Sequence, residues 1–265
     1  TNTSYFVEYD GIPYVLRIAT NDSSILSINR KAEHAAVTIA SKNRIGARLV
    51  CFDEASGDMI TFLEAGKTPT EKELQEPSTL IKLAKMLREM HNNRTDYVFN
   101  PFRDIQSRLN FLCVEDKKWI LNNVYFAQAK LIYDDMIKLS PNGINAECYF
   151  GLCHNDPCVN NIILGEQPLI IDYEFAGMGN IFFDLASLCG LWNQDKKVEF
   201  LVAYFGCYNE HHLQCLQYYT LIQLIWNATW GYVKHFSDTV VVIDYIKWSN
   251  EQLQLAVSLG NSAVV

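Results

Sequence analysis

Two acidic residues and an asparagine surround a short apolar segment within residues 154–174, and they constrain the fold more than any other feature of the sequence. Asp156 and Asn161 are separated by four residues. After Asn161 an apolar run, a turn at 165–168 and a second apolar run lead to Asp172. This pattern predicts two strands joined by a tight turn. Such a hairpin would fold Asp172 back beside the loop that carries Asp156 and Asn161.

Two carboxylates and an amide in this arrangement are typical of phosphoryl-transfer sites. One carboxylate orients the attacking hydroxyl and accepts its proton, while the amide and the second carboxylate hold Mg²⁺ on the nucleotide phosphates. The pattern therefore predicts Asp156, Asn161 and Asp172 as catalytic residues, with Asn161 and Asp172 as the metal ligands. Each residue taken singly is also common in turns and at strand ends, so only the complete set favours a site.

Composition limits the class of protein and its partners. The 265 residues are 49% hydrophobic, which is enough for one large domain or two lobes. Thirty acidic and 22 basic residues give a formal net charge of −8, which argues against a nucleic-acid partner. No apolar run approaches the roughly 18 residues of a spanning helix, so we expect no membrane insertion. Because no signal-peptide pattern follows Thr1, we expect a cytoplasmic protein whose N-terminal lobe is trimmed in this sequence.

The eight cysteines predict reduced, mostly buried thiols rather than a disulfide framework, because they form no C-x-x-C pair. One group, Cys207, His211, His212 and Cys215, has three members on one helical face and is a possible zinc site. No second ligand pair lies nearby in the sequence, which argues against zinc.

The order of predicted elements indicates an α+β fold with a small antiparallel lobe at 1–64 and a large helical lobe at 65–265. In the small lobe we predict strands at 5–9, 14–18, 48–52 and 59–63 and a helix at 27–42. A break at 64–69 is the predicted hinge. In the large lobe we predict helices at 80–90, 103–113, 115–138, 182–192, 195–206, 209–234 and 239–258, with strands only in the hairpin before Asp172.

The small lobe contains candidate residues for binding ATP. Arg17 lies on a predicted strand and is a permanent cation able to bind phosphate in a bidentate manner. Glu33, on the following helix, could orient Arg17 as an ion pair. Ser4 could contact phosphate, and Thr61 and Leu63 precede the predicted hinge. The alternatives are a solvent-exposed Arg17 and Glu33 and a frayed terminus at Ser4.

The sequence resembles the choline/ethanolamine kinase family, within the aminoglycoside-phosphotransferase group of the protein-kinase-like fold, and in particular its bacterial LicA-type members. The resemblance is carried by residues 1–5, 14–18, 29–33, 154–161, 171–177 and 183–186. It implies a two-lobed fold and ATP- and Mg²⁺-dependent phosphorylation of the hydroxyl of choline. It also implies that Asp156 is the base, that Asn161 and Asp172 bind magnesium, and that Asp184 anchors the catalytic loop.

The implied acceptor directs attention to aromatic residues, because a quaternary ammonium donates no ordinary hydrogen bond and binds aromatic faces near a carboxylate. Trp226 and Trp230 lie one turn apart on a predicted helix. The resemblance adds Trp192 and Phe175 to the substrate site, with Glu174 as the carboxylate. Aromatic residues at helical spacing are also typical of a core.

Departures from the family pattern fall on the acceptor side of the site. Many relatives have Trp-x-x-Trp where this sequence has Trp226-x-x-x-Trp230, and Leu191 stands where eukaryotic members have a glutamate. Ethanolamine, thiamine or an aminoglycoside therefore remain alternative acceptors. A nucleotide-binding scaffold without turnover is the alternative of a different class, and the oligomeric state stays open.

Overall fold

A four-stranded antiparallel sheet forms the N-terminal part of the molecule. We describe a computed structural model that covers residues 2–19, 26–114, 116–140, 148–237 and 243–262. The sheet has the order β1-β2-β4-β3, and its elements are β1 (Thr3–Tyr9), β2 (Ile12–Ile18), α1 (Arg30–Lys42), β3 (Leu49–Phe52) and β4 (Met59–Phe62). Asp10 and Gly11 both have positive φ angles, which a tight hairpin between twisted strands requires. The hairpin at 10–11 is therefore confirmed.

The first strand begins earlier than the sequence indicated. Thr3 pairs with Ile18 and Ser4 pairs with Arg17 in the β1–β2 ladder. A frayed terminus at Ser4 is therefore wrong, because cross-strand pairing holds this residue in the sheet.

The remainder of the chain is mostly helical. Its elements are α2 (Glu71–Leu74), α3 (Pro77–His91), α4 (Pro101–Leu112), a 3₁₀ helix (Lys118–Asn122), α5 (Val124–Leu139), β5 (Phe150–Cys153), a second 3₁₀ helix (Val159–Asn161), β6 (Ile162–Leu164), β7 (Pro168–Ile170), β8 (Gly177–Asn180), α6 (Ile181–Cys189), α7 (Gln194–Phe205), α8 (Glu210–Ser237) and α9 (Tyr245–Ser262). The predicted α+β fold is confirmed, with a small antiparallel sheet and a large helical part. The predicted boundary between the small lobe and the large lobe, between residues 64 and 65, stays a prediction.

Two details of the helical part correct the sequence analysis. The helix predicted at 115–138 is a 3₁₀ helix followed by α5, because Asn123 caps α5 by accepting from the Tyr125 and Phe126 amides. The prediction that the hairpin supplies the only strands of this half is also wrong, because β5 and β8 pair antiparallel. Two glycines make β8 too weak a strand pattern to find by periodicity. The predicted helix start at 239 lies outside the described residues.

Helix α8 is the centre of the helical part and packs against α4, α6 and α9. Most of its side chains are buried, as expected for a helix that contacts neighbours on several sides. Within the described ranges, no helix combines the length and the apolar character needed to cross a membrane.

The predicted hairpin joins the two parts of the molecule. β6 and β7 pair in register from Ile162–Ile170 to Leu164–Pro168. Gly46, just after α1, forms a bridge to Ile170. A Cβ at Gly46 would lie 2.8 Å from the hydroxyl of Tyr173, so glycine permits this close approach. The contact sets the small sheet against the segment that carries Asp172.

The prediction that most of the cysteines are buried is wrong. Cys153, Cys189 and Cys215 are buried, Cys158 is intermediate, and the other four are exposed. The cysteines lie in apolar runs of the sequence, but Cys51 lies on the exposed face of β3 and Cys113 caps the end of α4, which leaves both side chains at the surface. Among the described residues all eight are free thiols, as predicted.

Candidate active site

A buried carboxylate holds the backbone of the loop that leads to Asp156. Asp184, on α6, accepts the His154 amide at 2.8 Å and the Asn155 amide at 2.6 Å. The same carboxylate contacts Nε2 of His91 at 2.9 Å. Because Asp184 is fully buried, each of these bonds lies in a weakly screened environment. Asp184 thus lies where the resemblance implies an anchor, whereas His91 was not identified from the sequence.

His154 ties this loop to the second strand of the hairpin. Its Nε2 donates to the Ile171 carbonyl at 2.9 Å, and its Nδ1 accepts the Asp156 amide at 3.2 Å. These partners require a neutral ring with its proton on Nε2. Burial lowers the pKa of His154 to about 4, which keeps the ring in that state.

Asp156 and Asn161 contact each other at the end of the loop. Asn161 Nδ2 donates to the Asp156 backbone carbonyl at 3.0 Å and to its Oδ2 at 3.1 Å. Both donated bonds use the amide nitrogen, so the amide oxygen is left to bind a cation. Burial raises the pKa of Asp156 to about 8, and the negative charges of Asp172 and Glu174 add to this effect.

Asp172 follows the hairpin in a left-handed backbone conformation, with φ of 66°. Aspartate adopts the left-handed region more readily than most residues do. Non-glycine residues in this conformation are frequent at functional sites. The side chain of Asp172 is 33% exposed to the cleft. Burial by the surrounding protein raises the pKa of Asp172, and repulsion from Glu174 raises it further. A bound cation would relieve this repulsion.

Asn2 bridges the two acids that follow the hairpin. Its Nδ2 donates to Glu174 Oε2 at 2.9 Å and to Asp172 Oδ1 at 3.3 Å. Its Oδ1 is buried and has no partner among the described residues. Asn2 was not predicted as a site residue, although it lies two residues before Ser4 in a segment that carries the family resemblance.

Arg17 is buried and forms an ion pair with Glu33. It contacts Glu33 as predicted, donates to the Gly57 carbonyl at 2.7 Å, and approaches Asp172 Oδ1 at 3.5 Å. Arg30 also pairs with Glu33 at 2.7 Å. The solvent-exposed alternative for Arg17 and Glu33 is therefore wrong. Nε of Arg17 is buried without a partner among the described residues, which leaves a donor for an anion.

The predicted nucleotide residues surround a cavity of about 270 Å³ between the sheet and the hairpin. Its lining includes Ser4, Arg17, Thr61 and Leu63. Glu33 is absent from this lining and acts on it through Arg17.

A second cavity of about 870 Å³ contains every predicted substrate residue, and these are Glu174, Phe175, Trp192, Trp226 and Trp230. It also contains Asp156. Asn161 and Asp172 line both cavities and therefore mark where they meet.

The larger cavity, hereafter the acceptor cleft, has a lining suited to a cation. Its four carboxylates are those of Glu71, Asp156, Asp172 and Glu174. Four tryptophans and a phenylalanine contribute aromatic surface, and its described lining residues include no Lys, Arg or His. A lining rich in carboxylates and aromatic faces attracts a positively charged ligand.

The tryptophans differ in how much ring surface they offer to a ligand. Trp226 is buried, with the guanidinium of Arg108 at 4.3 Å from its ring centroid and its Nε1 donating to Asp104 at 3.2 Å. One face of Trp226 is therefore already covered by a cation. Trp230 is partly exposed, and its buried Nε1 has no partner among the described residues.

Glu71 also lines the acceptor cleft, although it was not predicted from the sequence. The indole nitrogen of Trp192 donates to Glu71 Oε2 at 3.3 Å. Glu71 begins the short helix α2, far from Trp192 in the sequence. It supplies a carboxylate beside Trp192, next to the position where Leu191 replaces the family's glutamate.

The possible zinc site gains no support from the described part of the chain. The one group of three or more there with ligand atoms close enough to share a metal is His91, Cys153 and Asp184, whereas Cys215 Sγ and His211 Nε2, two of the predicted zinc ligands, lie 3.6 Å apart. His91 and Asp184 already bond each other, and Nδ1 of His91 contacts the Tyr204 hydroxyl at 2.6 Å. Cys207 is exposed whereas Cys215 is buried.

A β-rich part, a helical part and a cleft with two acids and an amide define the class of kinase-like phosphotransferases. The model of the phosphotransferase enzyme family (APH) matches residues 1–218, and the chain belongs to this family. Family membership and the kinase-like fold together identify the chain as a phosphotransferase of the kinase class.

Similar proteins agree with this assignment. The protein LicA of Haemophilus influenzae is 27% identical over 218 residues, which cover 80% of this chain and 79% of that protein. The ethanolamine kinase of Saccharomyces cerevisiae is 25% identical over 74% of this chain, although the match covers only 44% of the yeast protein. The choline kinase LicA from Streptococcus pneumoniae shares the fold with a TM-score of 0.80 at 19% identity, covering 99% of this chain and 91% of that one.

Proposed function

We propose that this chain transfers the γ-phosphate of ATP to the hydroxyl of choline. The observation that carries the proposal is the acceptor cleft, which combines four carboxylates and four tryptophans with no basic side chain among its described lining residues. A small cationic alcohol is the ligand that matches this lining. The LicA relatives, one of them described as a choline kinase, support choline as the acceptor.

Asp156 is the proposed base. Asn161 donates to Oδ2 of Asp156, the Cys158 thiol also hydrogen-bonds to this carboxylate, and the residue lines the cleft that would hold the acceptor hydroxyl. A pKa raised to about 8 gives the Asp156 carboxylate a higher proton affinity than that of an exposed aspartate, which favours transfer of the hydroxyl proton to it. The Asp184 bonds to the loop backbone keep Asp156 in position.

The donor set fits a magnesium ion between Asn161 and Asp172. The amide oxygen of Asn161 and the carboxylate of Asp172 are oxygen ligands of the type that Mg²⁺ prefers. When bound, Mg²⁺ would neutralise charge on the nucleotide phosphates. Burial raises the pKa of Asp172 and the charge of Glu174 raises it further, and a cation held between Asn161 and Asp172 would offset this repulsion.

Arg17, Ser4, Thr61 and Leu63 are the proposed nucleotide-binding residues. The unpaired Nε of Arg17 is available to a phosphate oxygen, and Glu33 keeps the guanidinium in place. Asn161 and Asp172 close the nucleotide cavity on the side of the acceptor cleft. The γ-phosphate would therefore be transferred from ATP in the nucleotide cavity to the acceptor in the acceptor cleft, at the point where Asn161 and Asp172 border both cavities.

For the acceptor, we assign the ammonium group to Trp230, Trp192, Phe175 and Glu174. Trp226 contributes mainly as the wall behind Phe175, which meets it edge to face at 4.9 Å, because Arg108 covers one side of its ring. Ethanolamine is the second candidate acceptor, since carboxylates and amides in the cleft can accept hydrogen bonds from a primary ammonium.

A panel of acceptors tests the proposal. ADP release would be measured with ATP, Mg²⁺ and choline, ethanolamine, thiamine or an aminoglycoside. We expect turnover with choline that is lost when Mg²⁺ is removed. Strong turnover only with an aminoglycoside would reassign the acceptor, and tight ATP binding without turnover on any acceptor would favour the non-catalytic scaffold.

A further inference from the structure

Gln223, on α8, supplies an unpaired hydrogen-bond acceptor to the acceptor cleft. Its side chain lines the cleft together with Asp156, yet the residue is only 5% exposed. Its Oε1 is buried and has no partner among the described residues. A buried carbonyl oxygen without a donor is unfavourable, so such an atom in a ligand cleft indicates that the ligand supplies the donor.

Neighbouring amides orient this carbonyl. Gln223 Nε2 donates to Asn227 Oδ1 at 3.3 Å, and Asn227 Nδ2 donates to Gln252 Oε1 at 3.5 Å. All three amides line the acceptor cleft. Because the nitrogen of Gln223 is directed along this row, its oxygen is directed away from Asn227.

Other polar groups near Gln223 do not satisfy its oxygen. Thr220, one turn earlier, donates its hydroxyl to the Leu216 carbonyl at 2.7 Å. The indole nitrogen of Trp226 donates to Asp104. Trp230 has an unpaired indole N–H, but that group also lacks a partner in the cleft and does not reach Gln223.

We propose that Gln223 determines acceptor specificity by accepting a hydrogen bond from an N–H group of the acceptor's ammonium. Primary, secondary and tertiary ammonium alcohols can donate this bond, whereas the quaternary ammonium of choline cannot. The cleft then holds choline by aromatic faces and carboxylates, and it holds ethanolamine-type acceptors by these and by Gln223. The inference rests on the proposed function and concerns the range of amino alcohols that the same site accepts.

The test is kcat/KM for a methylation series: ethanolamine, N-methylethanolamine, N,N-dimethylethanolamine and choline. Gln223→Met keeps the side-chain length and removes the carbonyl. We expect this variant to lose about ten-fold or more on each acceptor that carries an N–H, and less than about two-fold on choline. The step in the variant-to-native ratio should therefore fall between N,N-dimethylethanolamine and choline, the point at which the last N–H is lost.

Two further variants sharpen the result. Gln223→Glu retains an acceptor oxygen and should preserve turnover of ethanolamine, in contrast to Gln223→Met. Gln214→Met makes the same exchange at an exposed position of α8 and should leave kcat/KM for both choline and ethanolamine unchanged. Equal losses on ethanolamine with Gln223→Glu and Gln223→Met would overturn the inference, because both variants lack the amide N–H and only Gln223→Met lacks the acceptor oxygen.

The remaining outcomes separate the two proposals. Equal losses on choline and ethanolamine would assign Gln223 to packing of α8 and overturn the inference alone. An unchanged ratio across the series would overturn it in the same way. If the native protein turned over no acceptor of the series, the proposed function would fail and the inference with it.

Discussion

Asp156 combines the position and the raised pKa that a proton-accepting residue needs. The residue lines the acceptor cleft, its Oδ2 is held by Asn161, which borders both cavities, and the loop backbone before it is bonded to a buried carboxylate. Burial and neighbouring acids raise its pKa to about 8, so the proton affinity of this carboxylate is much higher than that of an exposed aspartate. Geometry and proton affinity together favour Asp156 over the other acids of the cleft.

The first prediction concerns this residue. Asp156→Asn should lower kcat by roughly three orders of magnitude or more while leaving the affinity for ATP nearly unchanged, because the side chain acts on the acceptor hydroxyl. Steady-state kinetics and calorimetric titration of ATP would measure the two effects. Asp135→Asn, at an exposed position of α5, is the matched control. Near-normal turnover in the Asp156 variant would rule out its role as the base.

Trp230 provides a second test at the scale of the residue. Trp230→Ala should raise KM for choline about ten-fold or more with little change in KM for ATP, because a desolvated cation–π contact contributes about 2 kcal/mol or more. The neutral analogue 3,3-dimethylbutanol should bind poorly to the native protein. Trp119→Ala, which removes a half-exposed tryptophan outside the acceptor cleft, should change neither constant. Tight binding of the neutral analogue would contradict a cation-binding role.

At the scale of elements, one histidine couples the loop after β5 to the hairpin of β6 and β7. His154 accepts from the Asp156 amide and donates to the Ile171 carbonyl, so it stabilises both segments only when neutral. Protonation would replace an accepted bond with repulsion between two N–H groups. The relative position of the two acids therefore depends on the charge state of a ring that is not among the lining residues of either cavity.

This dependence predicts a loss of stability in mild acid. The folded pKa of His154 is about 4, below the ordinary value of 6.5, so the unfolded state binds more protons between these values. The contribution is fully present above about pH 6.5 and decreases as the pH falls toward 4. Between pH 7 and pH 5 the free energy of unfolding should drop by roughly 2 kcal/mol on this account. Urea unfolding of the native protein and of His154→Gln would measure the difference.

The matched control for that experiment is His235→Gln, which removes an exposed histidine of α8. Its pH dependence of stability should follow that of the native protein. An unchanged dependence in His154→Gln would mean that other groups cause the acid sensitivity.

At the scale of the whole molecule, the active cleft depends on how closely the small sheet approaches the hairpin. Gly46 bridges to Ile170, and the hydroxyl of Tyr173 lies beside it and contacts the Ile45 carbonyl at 3.5 Å. The nucleotide cavity is bounded on one side by the sheet and on the other by residues 170–173. A change in this spacing would alter the positions of Arg17 and Asp172 together.

Gly46→Ala should therefore weaken both stability and nucleotide binding. The new methyl group would lie 2.8 Å from the Tyr173 hydroxyl and 2.9 Å from the Cβ of Ala40, which forces the packed segments apart. We expect a loss of roughly 1–3 kcal/mol in the free energy of unfolding, together with a higher KM for ATP. Gly179→Ala is the control, because its Cβ would meet its neighbours at 3.7 Å or more. Equal effects of the two substitutions would contradict this account.

Local order in the sequence accounts for much of the candidate site. Asp156 and Asn161 belong to one loop, and the alternation of apolar and turn residues after them predicts the hairpin that returns Asp172. Arg17 and Glu33 lie on the consecutive elements β2 and α1, where kinases pair a strand cation with a helix carboxylate, so their ion pair was predicted. In each case a short-range pattern encodes the geometry.

Only the tertiary structure decided which distant side chains complete the site. Asn2 reaches Asp172 across 170 residues, and Glu71 reaches Trp192 across 121. Neither pairing leaves a periodic signal, because periods of 2 and 3.6 residues report which face of an element is buried and not what it meets. The sequence by itself thus determined the class of fold and the acids of the catalytic loop. Packing of α2 and α8 around the cleft decided which residues line it, because side-chain contacts between remote elements depend on their mutual arrangement in space.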